Sequence, residues 1–342
     1  MKIVFFGTPE IAVYALKGLI ETGFDVVAVV TNVDKPAGRG QKMLQSDVKK
    51  YVLDYNEKIA DKCNNCSVSD TSNAGESLLL LQPEKLKDEK FVNTLKEINP
   101  DIMVVVAFRM MPKEVWNLPR LGTVNMHTSL LPDYRGAAPI NHVIINGEKE
   151  TGVTIFSLNE NIDEGDIWSN VKINIDDNET AGTLHDKLMI EGTKLLIETL
   201  KNIDKGTIKP INQNSAKQIH VAPKIFKQDC LINWNKSSTE IFRLIRGLSP
   251  YPTAFSRIVL TNNSSPNMEE NIWKIFDAEI VDNFNADIDN GEICSDNKTF
   301  LYIKCGDGKF ISLKKIQMSG KKNMLISDFL RGFDIKNVNK LC

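Results

Sequence analysis

The sequence predicts an α/β fold, with a doubly wound N-terminal domain followed by a smaller β-barrel domain. Three observations lead there. The chain opens on an apolar strand, Lys2–Phe6, that passes through Gly7-Thr8-Pro9 into an amphipathic segment. An unbroken apolar run, Ile102–Ala107, has the character of a parallel strand buried on both faces. Beyond Pro223, short strand-like runs alternate with Asn, Gly and Asp turns, the pattern of a small barrel.

The elements follow in order. Thr8 is placed as a helix N-cap and Pro9 at the first helical position. Ile11, Ala15, Leu16, Leu19 and Ile20 mark the buried face of that helix, and Gly23 ends it. Asp25–Thr31 is the second strand. This β-α-β opening lacks the G-x-G-x-x-G fingerprint, which disfavours a nicotinamide dinucleotide enzyme. Asn32–Lys50 reads as a glycine-rich, charged loop that holds Arg39 between Gly38 and Gly40. Asp61–Ser77 is polar and reads as a loop insertion. Thr123–His127 is a strand, Pro139–Asn146 a short helix and Val153–Leu158 another strand. Thr183–Ile203 is an amphipathic helix, with Leu184, Leu188, Leu195, Leu196 and Leu200 near helical spacing.

Gly206–Pro223 is polar and holds Pro210 and Pro223, which marks it as the interdomain linker. The expected division is therefore a catalytic domain over 1–206, a linker over 207–223 and a C-terminal domain over 224–333. In that last part a short helix covers Ile241–Arg246. Strands are expected at Ala254–Leu260, Ile272–Val281, Phe300–Lys304 and Phe310–Gln317. No internal repeat is visible.

With 25% charged and 42% hydrophobic residues, the 342-residue chain has the composition of an ordinary globular protein. Its net charge of −2 carries no global nucleic-acid signal. The distribution says more: from Pro223 onward there are 17 Lys and Arg against 14 Asp and Glu, and Cys305–Lys322 holds five Lys against one Asp. A small basic patch of that kind points weakly to phosphate. The six cysteines form no disulfide pattern, and Cys63-Asn-Asn-Cys66 lacks a second pair or a histidine at zinc spacing. No metal is expected. No signal peptide or membrane-length apolar run is present, so a cytoplasmic protein is expected.

The richest stretch is Asn125-Met-His127-Thr-Ser129-Leu-Leu-Pro132-Asp-Tyr-Arg135-Gly136, followed by Asp163-Glu-Gly165-Asp166. Residues two apart on a strand share a face, so Asn125 and His127 project side by side. At a strand's C-terminal end they reach the crevice where open α/β sheets bind ligands. Alone, a strand histidine is more often a satisfied core residue, and Asp163 fits an Asx-turn. The combination, in this order and at these spacings, outweighs those readings.

N-x-H-x-S-L-L-P, then R-G-A-A-P-I, then I-D-x-G-D resembles the folate-dependent formyltransferases, and most closely those acting on charged initiator tRNA. The likeness covers nearly the whole chain, apart from Asp61–Ser77 and Asp334–Cys342. It implies a Rossmann-like catalytic domain and an OB-like C-terminal barrel. The activity it implies is transfer of the formyl group of 10-formyltetrahydrofolate, without a metal, to the α-amino group of methionine on initiator tRNA.

Carried onto matching positions, the resemblance makes Asn125 an oxyanion donor and a protonated His127 a second stabiliser of the same oxygen. Asp163 holds the imidazole and relays protons. The chemistry agrees: a fixed amide resists titration, and a nearby carboxylate favours imidazolium. No neighbouring base activates Ser129, so Ser129, Leu130, Leu131 and Pro132 are expected to form a wall of the folate site. Arg39 and Lys42 in the glycine-flanked loop, with Lys321 and Lys322 in the C-terminal domain, are the expected tRNA contacts. One departure is Ala107-Phe108-Arg109, where relatives often read A-Y-G; it affects a pocket wall and not the chemistry.

The expected partners are charged initiator tRNA and the folate, with neither membrane nor DNA, and the chain acting as a monomer. Rival readings are a formyltransferase for glycinamide ribonucleotide or an amino-sugar nucleotide, and a non-catalytic RNA-binding barrel protein. The Arg39 loop and the C-terminal domain argue against the first. Enzymes of the second kind usually carry a different, larger partner domain, and the Asn125/His127/Asp163 set argues against the last.

Overall fold

Along the chain run β1 (Lys2–Gly7), α1 (Glu10–Glu21), β2 (Asp25–Val30), β3 (Lys35–Ala37), β4 (Lys42–Leu44), α2 (Asp47–Asn65), β5 (Leu79–Leu81), α3 (Glu89–Ile98), β6 (Ile102–Val106), α4 (Lys113–Trp116) and β7 (Thr123–His127). After β8 (Arg135–Gly136) and α5 (Pro139–Asn146) come β9 (Glu150–Ser157), β10 (Ile167–Asn174), α6 (Ala181–Asp204) and β11 (Val221–Ala222). The structure, a computed structural model, describes residues 1–37, 42–65, 76–213, 220–260 and 272–342. Contacts divide the chain into two compact units. The first is Met1–Arg135, Gly152–Ile173 and Lys187–Val221; the second is Gly136–Thr151, Asn174–Asp186 and Ala222–Cys342.

The first unit is built on a seven-stranded sheet of order β10-β9-β7-β6-β1-β2-β5. β1 pairs in parallel with β2 and β6, and β6 with β7, while β9 runs antiparallel to β7. The chain therefore leaves β1 first toward β2 and β5, then returns to its other side through β6. That reversal opens a crevice at the strands' C-terminal ends. The residues of β6 are buried throughout, as their unbroken apolar run requires. Each fully buried side chain of this kind contributes roughly 1.5–3 kcal/mol. α6 lies tight on the sheet: a Cβ on Gly192 would stand 3.0 Å from Met126 Sδ and 3.2 Å from Val153. Met126 thus faces the helix, which leaves Asn125 and His127 on the opposite face.

Three local expectations change. Thr8 is not the N-cap of α1. Pro9 takes that position without a side-chain cap, because Thr8 Oγ1 instead accepts a hydrogen bond from Asn32 Nδ2 at 3.1 Å. Asn32–Lys50 is not one loop, since β3 and β4 pair as an antiparallel hairpin and α2 begins at Asp47. The helix then runs through Asp61–Asn65, which had read as loop. Val48 and Val52, one turn apart and fully buried, supply the apolar stripe that holds it.

In the second unit, α7 (Ser238–Leu248) precedes β12 (Ala254–Leu260), β13 (Ile272–Val281), β14 (Ile293–Ser295), β15 (Leu301–Lys304), β16 (Phe310–Met318) and β17 (Met324–Leu325). α8 (Ile326–Gly332) and β18 (Val338–Leu341) complete it. The strands are ordered β14-β15-β16-β13-β12-β18, with β17 on β16. Gly291 and Glu292, just before β14, hydrogen-bond or bridge to Leu341 and Lys340 in β18, so the sheet nearly closes into a barrel. Trp273 and Phe329 meet edge to face at 5.0 Å in its core. α7 starts with a capping box in which Ser237 Oγ accepts from Glu240 N and Glu240 Oε2 accepts from Ser237 N. Such a cap typically contributes about 1 kcal/mol. No helix among the described residues is long and apolar enough to cross a membrane.

Candidate active site

β7 brings Asn125 and His127 to one face of the first unit's sheet. Opposite them on β9, in register, stand Phe156 and Thr154. Directly paired antiparallel residues share a face, so these four side chains form one patch. Asn125 is half-buried and His127 is 7% exposed. The buried ring of Phe156 meets the imidazole edge to face, 6.3 Å between centroids and 89° between planes.

His127 Nε2 lies 3.0 Å from the backbone carbonyl oxygen of Tyr134. That oxygen only accepts, so Nε2 carries the hydrogen, and Nδ1 is the ring nitrogen that faces Asp163. Nδ1 and Asp163 Oδ2 are 3.9 Å apart, with both side chains largely buried. The separation exceeds a hydrogen bond but suits an ion pair once the ring is protonated.

Asp163 has a φ of +55°, an uncommon conformation for a residue with a Cβ. Its loop is wedged against β9. A Cβ on Gly165 would lie 1.6 Å from Ser157 O, so only glycine fits that approach. Ser157 N also donates to Asp166 O at 2.9 Å. On the other side, Gln213 Nε2 donates to Asp163 O at 3.2 Å and to Gly165 O at 2.5 Å.

The turn after β7 is fixed from within. Thr154 Oγ1 donates to Ser129 O at 2.7 Å and accepts from Leu131 N at 3.1 Å. Ser129 has no exposed surface, and its hydroxyl donates to Asp133 O at 2.7 Å. Ser129 therefore shapes the turn, whereas Leu130 and Pro132 remain half-buried and Leu131 is 6% exposed. Tyr134 N donates to His220 O at 3.0 Å, and the two rings stack at 5.1 Å.

Arg109, the departure noted after β6, reaches across to the segment that follows β5. It donates to the carbonyl oxygens of Glu84 and Pro83, and burial pushes its pKa down. The neighbouring Met110 keeps 72% of its surface exposed in the loop leaving β6.

The structure thus brings Asn125, His127 and Asp163 together in the first unit. Arg39 lies outside the described residues, and Lys42 opens β4 of the hairpin. Lys321 and Lys322 are exposed in the turn between β16 and β17 of the second unit. The basic run around them is partly neutralised by residues distant in sequence. Lys309 pairs with Asp282 at 2.7 Å and Lys314 with Glu279 at 2.7 Å. Cys66 also lies outside the described residues. Among the described residues, no group of three or more His, Cys, Asp or Glu is placed to hold a metal ion.

Sequence reasoning missed Thr154, the Tyr134 carbonyl and Gln213. Only the first had a signal, as a polar residue inside an apolar strand. A backbone acceptor leaves no trace in residue identity, and Gln213 sits in a polar stretch that reads as linker.

Fold and site together define a formyl transferase. Residues 1–200 match the family described as formyl transferase, and residues 224–334 match its C-terminal domain. The methionyl-tRNA formyltransferase of Bacteroides thetaiotaomicron is 44% identical over 344 aligned residues, covering 100% of this chain and 98% of that protein. That of Flavobacterium johnsoniae is 43% identical, covering 100% and 99%. The chain belongs to the methionyl-tRNA formyltransferase family. Among solved structures, HypX from Aquifex aeolicus in complex with tetrahydrofolic acid superposes with a TM-score of 0.61 at 18% identity. That likeness is one of fold; it covers 99% of this chain, which spans 48% of that protein's length.

Proposed function

We propose that the chain transfers the formyl group of 10-formyltetrahydrofolate to the α-amino group of methionine esterified to initiator tRNA. The observation that carries the reading is Asn125 and His127 on one strand face with the Asp163 carboxylate 3.9 Å from His127 Nδ1. Formyl transfer needs a neutral amine, a donor for the oxygen that becomes negative in the tetrahedral adduct, and a proton for the leaving nitrogen. Asn125 supplies the fixed donor, an interaction typically worth roughly 3–4 kcal/mol to the transition state. His127, tied at Nε2, offers Nδ1–H to the same oxygen, and Asp163 balances the imidazolium, takes up the amine's proton and passes it to the leaving nitrogen. General acid–base assistance of this kind typically gives about 10²–10⁴ in rate.

Leu130 and Pro132 suit the flat apolar body of a folate as the surface beside this patch, with Ser129 and Leu131 shaping the turn behind them. Arg39 and Lys42, together with Lys321 and Lys322 on the barrel of residues 224–333, are assigned to the phosphates of tRNA. The setting is the cytoplasm, with the chain working as a monomer.

The test is one assay of the purified chain with formyl donor and three acceptors: methionyl initiator tRNA, glycinamide ribonucleotide and an amino-sugar nucleotide. Formylation of the tRNA alone is the expected result. Transfer to either nucleotide in preference to tRNA would overturn the substrate assignment.

A further inference from the structure

Residues 211–213 follow α6 in a stretch whose composition reads as linker, yet they are strapped along the catalytic loop of the first unit. Ile211 exchanges both backbone hydrogen bonds with Ile167, at 2.7 and 2.8 Å. Asn212 Nδ2 donates to Asp166 Oδ1 at 2.9 Å. Gln213 is 3% exposed, and its amide is fully committed. Nε2 donates to the carbonyl oxygens of Asp163 and Gly165, while Oε1 accepts from an Arg135 guanidinium nitrogen at 2.7 Å. The amide's orientation is dictated by chemistry: carbonyls only accept, and a guanidinium only donates. The same Arg135 reaches Glu164 Oε1 at 3.2 Å.

Residues 163, 164 and 165 are therefore all gripped from one side by Gln213 and Arg135. From the other side Gly165 is pressed against Ser157 O. Asp163, between these holds, keeps a φ of +55° with its carboxylate toward His127.

We infer that Gln213 is a positioning residue for Asp163: its amide, braced by Arg135, fixes the loop that aims the Asp163 carboxylate at His127. The inference rests on the functional reading given above and extends it to a residue outside the catalytic patch. Two carbonyl groups aimed at one point need a donor between them. Glutamine supplies two N–H groups and still offers an oxygen to Arg135, whereas glutamate of the same length supplies none.

The experiment compares Gln213→Ala and Gln213→Glu with the unaltered full chain. Both are expected to lower kcat by about 10- to 10²-fold, the scale on which small misplacements of catalytic groups act. KM for the formyl donor should stay within about threefold. In an Asp163→Asn background the Gln213→Ala change should cause no further loss, because the two residues act as one unit. A purely structural role would add its full cost there.

Hydrogen exchange supplies the readout independent of activity: amides of residues 163–167 should exchange faster in both variants, with β6 and β7 unchanged. A kcat within threefold of the unaltered chain, an undiminished loss in the Asp163→Asn background, or unchanged exchange at 163–167 would each overturn the inference. Should Gln213→Ala not fold, Gln213→Glu decides by the same measurements. If the unaltered chain formylated nothing, the functional reading would fail, while the exchange data would still decide whether Gln213 holds the loop.

Discussion

His127 donates its Nε2 hydrogen to the Tyr134 carbonyl, 3.0 Å away, and thereby commits Nδ1 to the side facing Asp163. The tautomer is set by main chain, not by another ionisable group. The carbonyl is itself fixed because the turn before it is bonded through Thr154 and Ser129. Substitutions that look peripheral therefore bear on which imidazole nitrogen faces Asp163.

The nitrogen assignment can be read directly. An asparagine amide occupies the region of Nδ1, and a glutamine amide that of Nε2. His127→Ala is expected to lower turnover by about 10²–10⁴. His127→Asn should retain more activity than His127→Gln, since only the former returns a donor at the working position. Single-turnover rates with saturating donor make the comparison, and a more active His127→Gln would assign the reaction to Nε2.

Asn125→Ala should cost about 10²–10³ in kcat, as loss of one oxyanion donor does elsewhere. Because the side chain is only half-buried, the melting temperature should move little. Donor affinity, followed by fluorescence titration, is expected to stay within a few-fold. A KM effect without a kcat effect would make Asn125 a ground-state contact.

Gly165→Ala forces a methyl onto Ser157 O, where the Cβ would stand at 1.6 Å. The partner is backbone and has no rotamer to change, so the loop must move. Overpacking of this kind typically costs about 1–3 kcal/mol, and the melting temperature should fall by several degrees. Turnover should fall further than the stability loss explains, since Asp163 moves with the loop. A variant that is both fully stable and fully active would contradict the tight approach.

Lys49 first, then Gln82, hold the Asp34 carboxyl below the usual carboxylate range, through hydrogen bonds of 2.7 and 3.1 Å beside the β3–β4 hairpin. A depressed folded-state pKa contributes stability above the unfolded value, near 3.9, and loses it as pH falls through the folded one. The melting-temperature difference between the unaltered chain and Asp34→Asn should therefore be constant at neutral pH and shrink below about pH 4. A difference that persisted unchanged to pH 3 would refute the charge-based account.

Salt dependence should separate the barrel's lysines. Lys321→Ala and Lys322→Ala are each expected to flatten the slope of log affinity for tRNA against log salt by up to about one unit. Lys309→Ala and Lys314→Ala should change it less, because Asp282 and Glu279 already neutralise those charges. Equal slopes in all four variants would remove the distinction.

Much of the site was legible in the sequence because its signals are local. Alternation along Thr123–His127 put Asn125 and His127 on one face, and the apolar run before it fixed the neighbouring strand. What escaped depends on partners far away in sequence. Asn32 draws the Thr8 hydroxyl out of its expected capping role across 24 positions. Val48 and Val52 are buried by tertiary packing, which makes a helix continue through a polar stretch that composition alone leaves as loop. Asp282 meets Lys309 only because adjacent strands bring them together, so a window count overstated the patch's positive charge. The terminal residues, outside the recognised pattern, pair with β12 as β18, a partner strand that lies far upstream in the chain.

The strap at Ile211–Gln213 also bears on how such two-part proteins can be rebuilt from interchangeable pieces. A chimera cut where α6 ends, at Asp204, would leave the loop of Asp163 without the amide that spans its carbonyls. The crossover has to fall downstream, near Val221, so that the transplanted catalytic half carries its own brace. A shorter graft would inherit every residue of the N-x-H and D-x-G-D motifs and still arrive with a misaligned acid.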